Sequence, residues 1–345
     1  MVEVPEPFLN IAISLTLCFA FVNGFHDGGN VVAATICSRS MNPWRALFYA
    51  AAAEFIGPLL LGTAVARTMS SCVLKPDMVE AIDPHLLNII VSSAMVGAMT
   101  WKLPTWYFGL PSSGSHALIG GLVGSGIVGM GVQSIVIDKV VSSVLLPLLI
   151  SPILGIFLGY FIFSVIRTIF RAAHRRSGFF FAILQRPVMV TLAAAHGSND
   201  AQKSMGVIAI LLSARIHEVE NGLILPQWVV YSCAAAIALG LLAGGWRIVK
   251  TVGFGISKME PVHSFAAQLS SGIIILGASV FGGPVSTTQV VGSSVLGVGA
   301  SRRASGVRWS SAANIAYAWV FTFPASMLVG AFFCRLLTWL FYPIG

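Results

Sequence analysis

Two short polar motifs interrupt long apolar runs of this sequence. NGFHDGGN at 23–30 and HGSNDAQK at 196–203 each set an Asp carboxylate beside Asn side chains. An ionisable residue inside an apolar run that spans a membrane is costly and is usually kept for function. These carboxylates could ligate a hard cation through oxygen or carry a proton, and a buried structural ion pair is the alternative. The candidate coupling residues are Asp27, Asn30, Asn199 and Asp200, with Asp27 and Asn30 also the candidate metal ligands.

Two further positions bear on the coupling chemistry. Asn30 of the first motif corresponds to Lys203 of the second. An ammonium group could occupy the place of a bound cation or contact an anion directly, which favours proton coupling over coupling to two sodium ions. The alternative is that Lys203 only pairs with Asp200. Glu54 is a lone carboxylate in another apolar run, where either a proton-relay or gating role or a structural hydrogen bond is expected.

Two segments rich in Ser and Thr are suited to anion binding. PSSGSH (111–116) and PVSTTQ (284–289) each follow a pattern typical of a helix start, with proline first. Free backbone N–H groups at a helix start carry partial positive charge, and the hydroxyl groups add donors. Two such starts facing each other suit an oxyanion such as phosphate or sulfate. Ordinary helix capping is the alternative for either segment alone.

The composition indicates that these motifs lie in a polytopic helical membrane protein. Of the 345 residues, 56% are hydrophobic and 9% charged, and the mean hydropathy is +0.87. Soluble domains carry about a quarter charged residues. The apolar runs are continuous, which disfavours a β-barrel. We attribute the net charge of +8 to cytoplasmic loops rather than to nucleic-acid binding. We expect no cleaved signal peptide, and we interpret the five cysteines as packing residues.

The apolar segments predict the positions of the helices and of two hairpins. The segments are 8–37 (broken near 23–30), 44–66, 86–101, 112–130, 137–168, 187–213, 227–249, 261–280, 284–300 and 309–342. Segments 86–101 and 112–130 are short and joined by Gly and Pro, as are 261–280 and 284–300. Such pairs predict re-entrant hairpins. Lys102, between the first pair, is expected to anchor its hairpin or extend towards the interface.

Charge sets the expected orientation. If the N-terminus is outside and each hairpin returns to its own side, most Lys and Arg residues lie in the cytoplasm, as the positive-inside rule requires. These basic residues fall at 39–45, 167–186, 247–258 and 302–308. This topology has three full spans in each half and predicts that both termini lie outside.

An internal repeat relates the two halves. FGLPSSGSHALIGGLVGSG (108–126) aligns without gaps to FGGPVSTTQVVGSSVLGVG (281–299), and both this pair and the Asp27–Asp200 pair are 173 residues apart. Three spans per half would invert the second copy, and inverted repeats with broken helices are typical of secondary transporters. We predict a first repeat over 1–166, a basic cytoplasmic linker over 167–186 and a second repeat over 187–345.

In these motifs the sequence resembles the PiT family of inorganic phosphate transporters. NGFHDGGN, AHGSNDAQKSMG, GLPSSGSHALIGG, GPVSTTQ and AWVFTFPAS (318–326) carry the resemblance in order along nearly the whole chain. It implies a fold of two inverted repeats, each with a broken helix and a re-entrant hairpin, and phosphate held at the hairpin tips. NDAQKSMG (199–206) resembles the bacterial low-affinity branch, which is proton-coupled and takes phosphate as a neutral complex with a divalent metal. The phosphate contacts implied are Ser112, Ser113, Ser115, Ser286, Thr287 and Thr288.

The resulting hypothesis is a phosphate symporter that works by alternating access and is not an enzyme. A proton is the favoured coupling ion, with metal-phosphate as a form of the substrate. Sodium coupling, or transport or channel conduction of another oxyanion such as sulfate, is the alternative. The expected surroundings are the lipid bilayer of a bacterial inner membrane, with no resident cofactor and with homo-oligomerisation left open. Gly114 stands where the second tip has Thr287, so the two tips cannot contribute equal hydroxyl groups.

Overall fold

The computed structural model describes residues 6–171, 177–214 and 225–342. Arg175 and Arg176, which belong to the basic segment 167–186, lie outside these ranges. The described chain forms fourteen α-helices: α1 Glu6–Cys37, α2 Pro43–Leu60, α3 Ala64–Cys72, α4 Pro76–Ala81, α5 Pro84–Tyr107, α6 Gly114–Met130, α7 Ile137–Val140, α8 Leu146–Ile169, α9 Ser177–Ser213, α10 Gln227–Ala243, α11 Trp246–Val249, α12 Pro261–Val280, α13 Thr287–Arg303 and α14 Trp309–Phe341.

The helices have the length and apolarity of a polytopic membrane protein. Six single helices are long and apolar enough to cross a bilayer: α1, α5, α8, α9, α12 and α14. Two bent pairs would raise the number to eight. The axes of α2 and α3 differ by 77°, and the axis of α10 differs by 63° from that of the helical segment Trp246–Phe254, which starts with α11. The predicted all-helical class, with one broken helix in each half, is therefore confirmed.

The position predicted for the first break is wrong. α1 runs without interruption through 23–30, and α9 does the same through 196–203. The breaks lie instead at 61–63 and 244–245, in the next span of each half. The glycines of the first motif serve close packing rather than unwinding. A Cβ atom on Gly24 would collide with the backbone of Ile237, and one on Gly29 with the backbone of Gly245.

The two predicted hairpins are present as α5–α6 and α12–α13. The turns use Gly109 and Gly282, which have φ of +67° and +72° and occupy equivalent places in the repeat. α6 and α13 begin within the predicted segments 111–116 and 284–289, but three residues after the prolines rather than at them. Ser113 and Ser286 cap the two helices, and their hydroxyl oxygens accept hydrogen bonds from backbone N–H groups of the first turn. The first hairpin differs from the prediction because α5 continues to Tyr107, so the join is only 108–113.

Helices α1 and α9 lie at the centre of the molecule. α1 packs against α5, α9, α10 and α12, while α9 packs against α2, α3 and α12. α14 covers the hairpin α5–α6, and α8 covers α13. This arrangement brings both polar motifs between the two hairpins. The helices α8 and α9 also extend into the predicted 167–186 linker and leave only 170–176 between them; the division into two repeats at this point stays a prediction.

Candidate functional site

Each motif carboxylate is buried and paired with a lysine. Lys102 Nζ donates a hydrogen bond to Asp27 Oδ2 at 2.8 Å, and neither side chain is more than 1% exposed. His26 Nδ1 lies 2.7 Å from the other oxygen, Asp27 Oδ1. In the second motif, Lys203 Nζ lies 2.5 Å from Asp200 Oδ1. A buried carboxylate is tolerated when it is paired and hydrogen-bonded, and both carboxylates meet this condition.

Asn23 connects the two carboxylate–lysine pairs. Its side-chain oxygen accepts a hydrogen bond from Lys102 Nζ at 2.7 Å, and its Nδ2 donates to Asp200 Oδ2 at 2.8 Å. The first contact lies within the first half of the chain, and the second crosses to the other half. The two polar motifs therefore form one hydrogen-bonded network at the centre of the protein.

The tips of the two hairpins meet beside this network. Ser115 Oγ, in the first turn of α6, donates to the backbone carbonyl of Val285 at 3.0 Å. Lys203 Nζ donates to the same carbonyl at 2.9 Å. Val285 lies two residues before the start of α13, next to its N-cap Ser286. The two predicted helix starts therefore lie next to each other, beside the carboxylate of the second motif.

The predicted anion-contact hydroxyl groups are all buried but differ in their partners. Thr287 Oγ1 donates to Asp200 Oδ2 at 3.2 Å, and Thr288 Oγ1 accepts from Asn30 Nδ2 at 3.2 Å. Ser112 Oγ lies 2.8 Å from Thr105 Oγ1 and 3.3 Å from His26 Nε2. The other three residues are Ser113 and Ser286, which cap their helices, and Ser115, described above.

The structure explains why the first tip carries glycine where the second has threonine. A Cβ atom on Gly114 would collide with Asn23 Oδ1 and approach Asp27 Oδ2 to 2.9 Å. These are the two oxygen atoms that Lys102 contacts. At the equivalent place in the second half, the Thr287 hydroxyl itself reaches Asp200. The first tip therefore carries glycine because Asn23 and Asp27 occupy the space that a side chain would need.

Glu54 and His196 extend the network into α2. His196 Nδ1 lies 2.8 Å from Glu54 Oε1, and its Nε2 lies 3.4 Å from Asp200 Oδ2. The first distance is that of an ion pair, but the two atoms are not aligned for a hydrogen bond. Neither Glu54 oxygen has a hydrogen-bond partner among the residues that the structure describes. All three side chains are buried. A carboxylate, an imidazole and a second carboxylate in line can pass a proton between them.

Asn199 is placed apart from the paired carboxylates. Its Nδ2 donates to Ser279 Oγ and to the Gly283 carbonyl, both at 3.1 Å. It therefore fastens the end of α12 and the following turn to α9. Its side-chain oxygen has no hydrogen-bond partner in the described part of the chain.

The metal prediction for Asp27 and Asn30 is not supported by a cluster of classical ligands. Over 6–171, 177–214 and 225–342, no group of three or more His, Cys, Asp or Glu side chains could hold a metal ion. Lys102 and His26 engage the two oxygens of Asp27. The side-chain oxygen of Asn30 has no hydrogen-bond partner there. The assignment of a metal to this pair stays a prediction.

Comparisons with known proteins identify the family to which the chain belongs. The chain matches the family model described as "Phosphate transporter family" over residues 23–187 and again over 170–330. It belongs to the phosphate transporter family. A "probable low-affinity inorganic phosphate transporter" of Rhizobium meliloti (strain 1021) is 40% identical over 94% of this chain and 95% of its own length. One of the same description from Bacillus subtilis (strain 168) is 36% identical over 93% and 94%.

A solved structure supports the fold of this family member. The structure titled "The sodium-dependent phosphate transporter" matches with a TM-score of 0.86, over 96% of this chain and 99% of its own. Its sequence is 23% identical to this one. At that identity the match establishes the architecture only. The coupling ion has to be inferred from the residues of this chain.

Sequence reasoning missed two members of the site in this family member. Lys102 does not extend to the interface as expected, because it is fully buried and pairs with Asp27. Asn23 lies in the first motif, where its residue type alone predicts no particular contact. A lone lysine in an apolar helix was the available signal, since such a residue normally faces a partner inside the bundle. Nothing in the local sequence indicated which partner Asn23 would contact.

The closing motif AWVFTFPAS supports the first hairpin. It lies in α14, where Trp319 Nε1 donates to the Pro111 carbonyl at 3.0 Å. Ser326 Oγ donates to the His116 carbonyl at 3.4 Å. Trp319 and Ser326 are both buried. AWVFTFPAS therefore holds the hairpin tip 111–116 in place and does not contact the carboxylates through these two side chains.

Proposed function

We propose that the protein is a secondary active transporter of inorganic phosphate that works by alternating access. The observation that carries the proposal is the meeting of two hairpin tips, Ser115 against Val285, beside a buried network that joins both halves. Helix starts and hydroxyl groups are suitable ligands for a tetrahedral oxyanion. Relatives 36% and 40% identical over nearly their whole length are named as inorganic phosphate transporters.

The proposed phosphate contacts are the buried hydroxyl groups and backbone N–H groups at the two helix starts. Thr287 and Thr288 now bond to Asp200 and Asn30, and both hydroxyl groups can turn towards an entering anion. Because Ser113 and Ser286 already accept hydrogen bonds as caps, their hydroxyl hydrogens are free to be donated. The proposed set is Ser112, Ser113, Ser115, Ser286, Thr287 and Thr288.

We favour a proton as the coupling ion on grounds of charge. Asp27 and Asp200 are each balanced by a lysine, so these two pairs bring no net charge. Glu54 and an entering phosphate anion both add negative charge to a buried site, which is costly unless it is compensated. A proton taken up along Glu54, His196 and Asp200 would supply that compensation. The proposed coupling residues also include Asp27, Asn30 and Lys203 beside the hairpin tips, and Asn199, which fastens the second hairpin to α9.

A divalent metal that travels with phosphate is the second form of compensation. A neutral metal-phosphate complex would enter without adding charge, and its metal would be substrate rather than a resident cofactor. A co-transported sodium ion is the third way to compensate the charge. The solved structure that shares this fold is titled as a sodium-dependent transporter, which supports this alternative. Sulfate, or conduction through a channel, is the alternative for the transported species and the mode of transport. The relatives named above are transporters, and we propose no enzymatic activity.

The proposed cellular setting is a bacterial inner membrane with both termini outside. Six to eight apolar helices support a multi-pass protein. The basic residues of 167–171 and 302–308 are the groups that the positive-inside rule would place in the cytoplasm.

Uptake of radiolabelled phosphate into proteoliposomes tests these proposals. An inward proton gradient is expected to drive accumulation above the external concentration, whereas an inward sodium gradient alone is not. Adding magnesium under the same gradients separates free phosphate from the metal complex, and excess sulfate tests selectivity. Accumulation driven only by sodium would contradict the proton proposal. Flux that never exceeds equilibration would indicate a channel and contradict the transporter proposal.

A further inference from the structure

Lys102 occupies a position suited to a small cation. It is the largest polar side chain among the fully buried residues, and its Nζ lies between Asp27 Oδ2 at 2.8 Å and Asn23 Oδ1 at 2.7 Å. A carboxylate oxygen and an amide oxygen are typical ligands of hard cations. Gly114 lies directly against the same two oxygens and leaves them room. The chain thus offers an oxygen-lined position and fills it with its own ammonium group.

The two halves reach the same charge balance from different helices. Lys203 lies on α9, three residues after its partner Asp200. Lys102 lies on α5, and its repeat equivalent, 173 residues later, is Ile275. The repeat equivalent of Lys203 is Asn30. The lysines are therefore not copies of one ancestral residue. Two unrelated positions thus each place an ammonium group against a motif carboxylate.

We propose that Lys102 is a tethered cation that takes the place of a metal ion beside Asp27, so that this half of the site binds no sodium. The inference rests on the proposed transport function and deepens it by naming the residue that determines ion selectivity. Removing the ammonium while leaving space would convert Asp27 and Asn23 into a sodium site. The amide of Asn23 would hold that ion as it now holds Lys102, while still donating to Asp200.

The test compares Lys102→Ala with Lys102→Met in purified protein. Both variants remove the charge, but alanine opens space beside Asp27 and methionine fills it. Binding of radiolabelled sodium and thermal unfolding are measured in sodium chloride and in N-methylglucamine chloride at equal ionic strength. We expect saturable sodium binding and a rise of about 5 °C in Tm for Lys102→Ala alone, since a ligand stabilises the state that binds it. Wild type and Lys102→Met should show neither effect.

Two further variants locate the ion. Lys102→Ala/Asp27→Asn should lose the sodium response, because the site then has no carboxylate, and Lys102→Arg should behave like wild type. If Lys102→Ala is recovered only when sodium is present during purification, the proposal is supported. Recovery in neither salt, or folded Lys102→Ala without a sodium response, would overturn it. These readouts need no transport, so a failure here is distinct from a failure of wild-type phosphate uptake, which would overturn the proposed function.

Discussion

Asn23 Nδ2 donates a hydrogen bond to Asp200 Oδ2 at 2.8 Å, across 177 residues of sequence. This contact joins α1 of the first half to α9 of the second at the level where the hairpin tips meet. Asp200 also accepts hydrogen bonds from Lys203 and Thr287, and His196 Nε2 lies 3.4 Å from its Oδ2. It is the most connected carboxylate of the network, and it is the group on which both proposed ligands, anion and proton, would act.

Asp200→Asn is expected to abolish phosphate uptake. The amide keeps the shape of the carboxylate but leaves the buried Lys203 ammonium without its counter-ion, and breaking a buried ion pair in this way costs about 3–5 kcal/mol. Uptake of labelled phosphate into proteoliposomes measures the effect. Asp83→Asn is the matched control, because Asp83 caps α5 at the surface and asparagine caps a helix equally well. Wild-type uptake by Asp200→Asn would refute the role of this carboxylate.

Glu54→Gln is expected to abolish proton-driven accumulation of phosphate without abolishing phosphate exchange. The amide cannot take a proton, yet it keeps the size of the side chain beside His196. Exchange of labelled for unlabelled phosphate across the membrane should persist, while accumulation driven by a proton gradient should be lost.

External pH gives an independent measure of the same variant. Wild-type uptake should rise as external pH is lowered, because protons are the proposed co-substrate, and the profile of Glu54→Gln should be flat. Glu80→Gln, at an exposed position, should keep the wild-type profile. A profile of Glu54→Gln that matches wild type would show that Glu54 is only structural.

Gly114→Ala is expected to destabilise the protein and reduce uptake. The added Cβ atom collides with Asn23 Oδ1, so Asn23 and Lys102 must shift, and overpacking of this kind costs about 1–3 kcal/mol. Gly277→Ala is the control, since no atom lies within 4 Å of the Cβ it would add to α12. That change should be neutral or stabilise by about 0.5–1 kcal/mol. Thermal unfolding compares the two, and equal Tm values would contradict the crowding around Gly114.

Trp319→Phe is expected to loosen the first hairpin tip. Phenylalanine fills most of the space but cannot donate to the Pro111 carbonyl, and a buried carbonyl left without a partner costs about 1–3 kcal/mol. Phosphate uptake should fall while the protein stays folded. Trp339→Phe, on the exposed surface of the same helix, is the control and should transport normally. Hydrogen exchange over 108–116 should increase in Trp319→Phe only; unchanged exchange there would contradict the support assigned to this indole.

Several features could be predicted from the sequence because they depend on local pattern. Composition predicted a helical membrane protein, and the Pro- and Ser-rich segments 111–116 and 284–289 predicted where α6 and α13 begin, to within about three residues, since serine is a preferred N-cap. The break near 23–30 was mispredicted for a related reason. Glycine is compatible with unwinding, but in α1 it serves close contact with α10, and spacing alone cannot distinguish the two uses.

The sequence by itself determined the membrane class, the 173-residue repeat, the two hairpins and the pair Asp27 and Asp200. Only the tertiary structure decided that Lys102 and Asn23 belong to the same site. The repeat gave no sign of Lys102, because Ile275 stands at its equivalent position, and the contact with Asp27 spans 75 residues. Which buried charges become partners depends on how helix faces pack, and the cost of an unpaired charge then enforces the pairing that packing makes available.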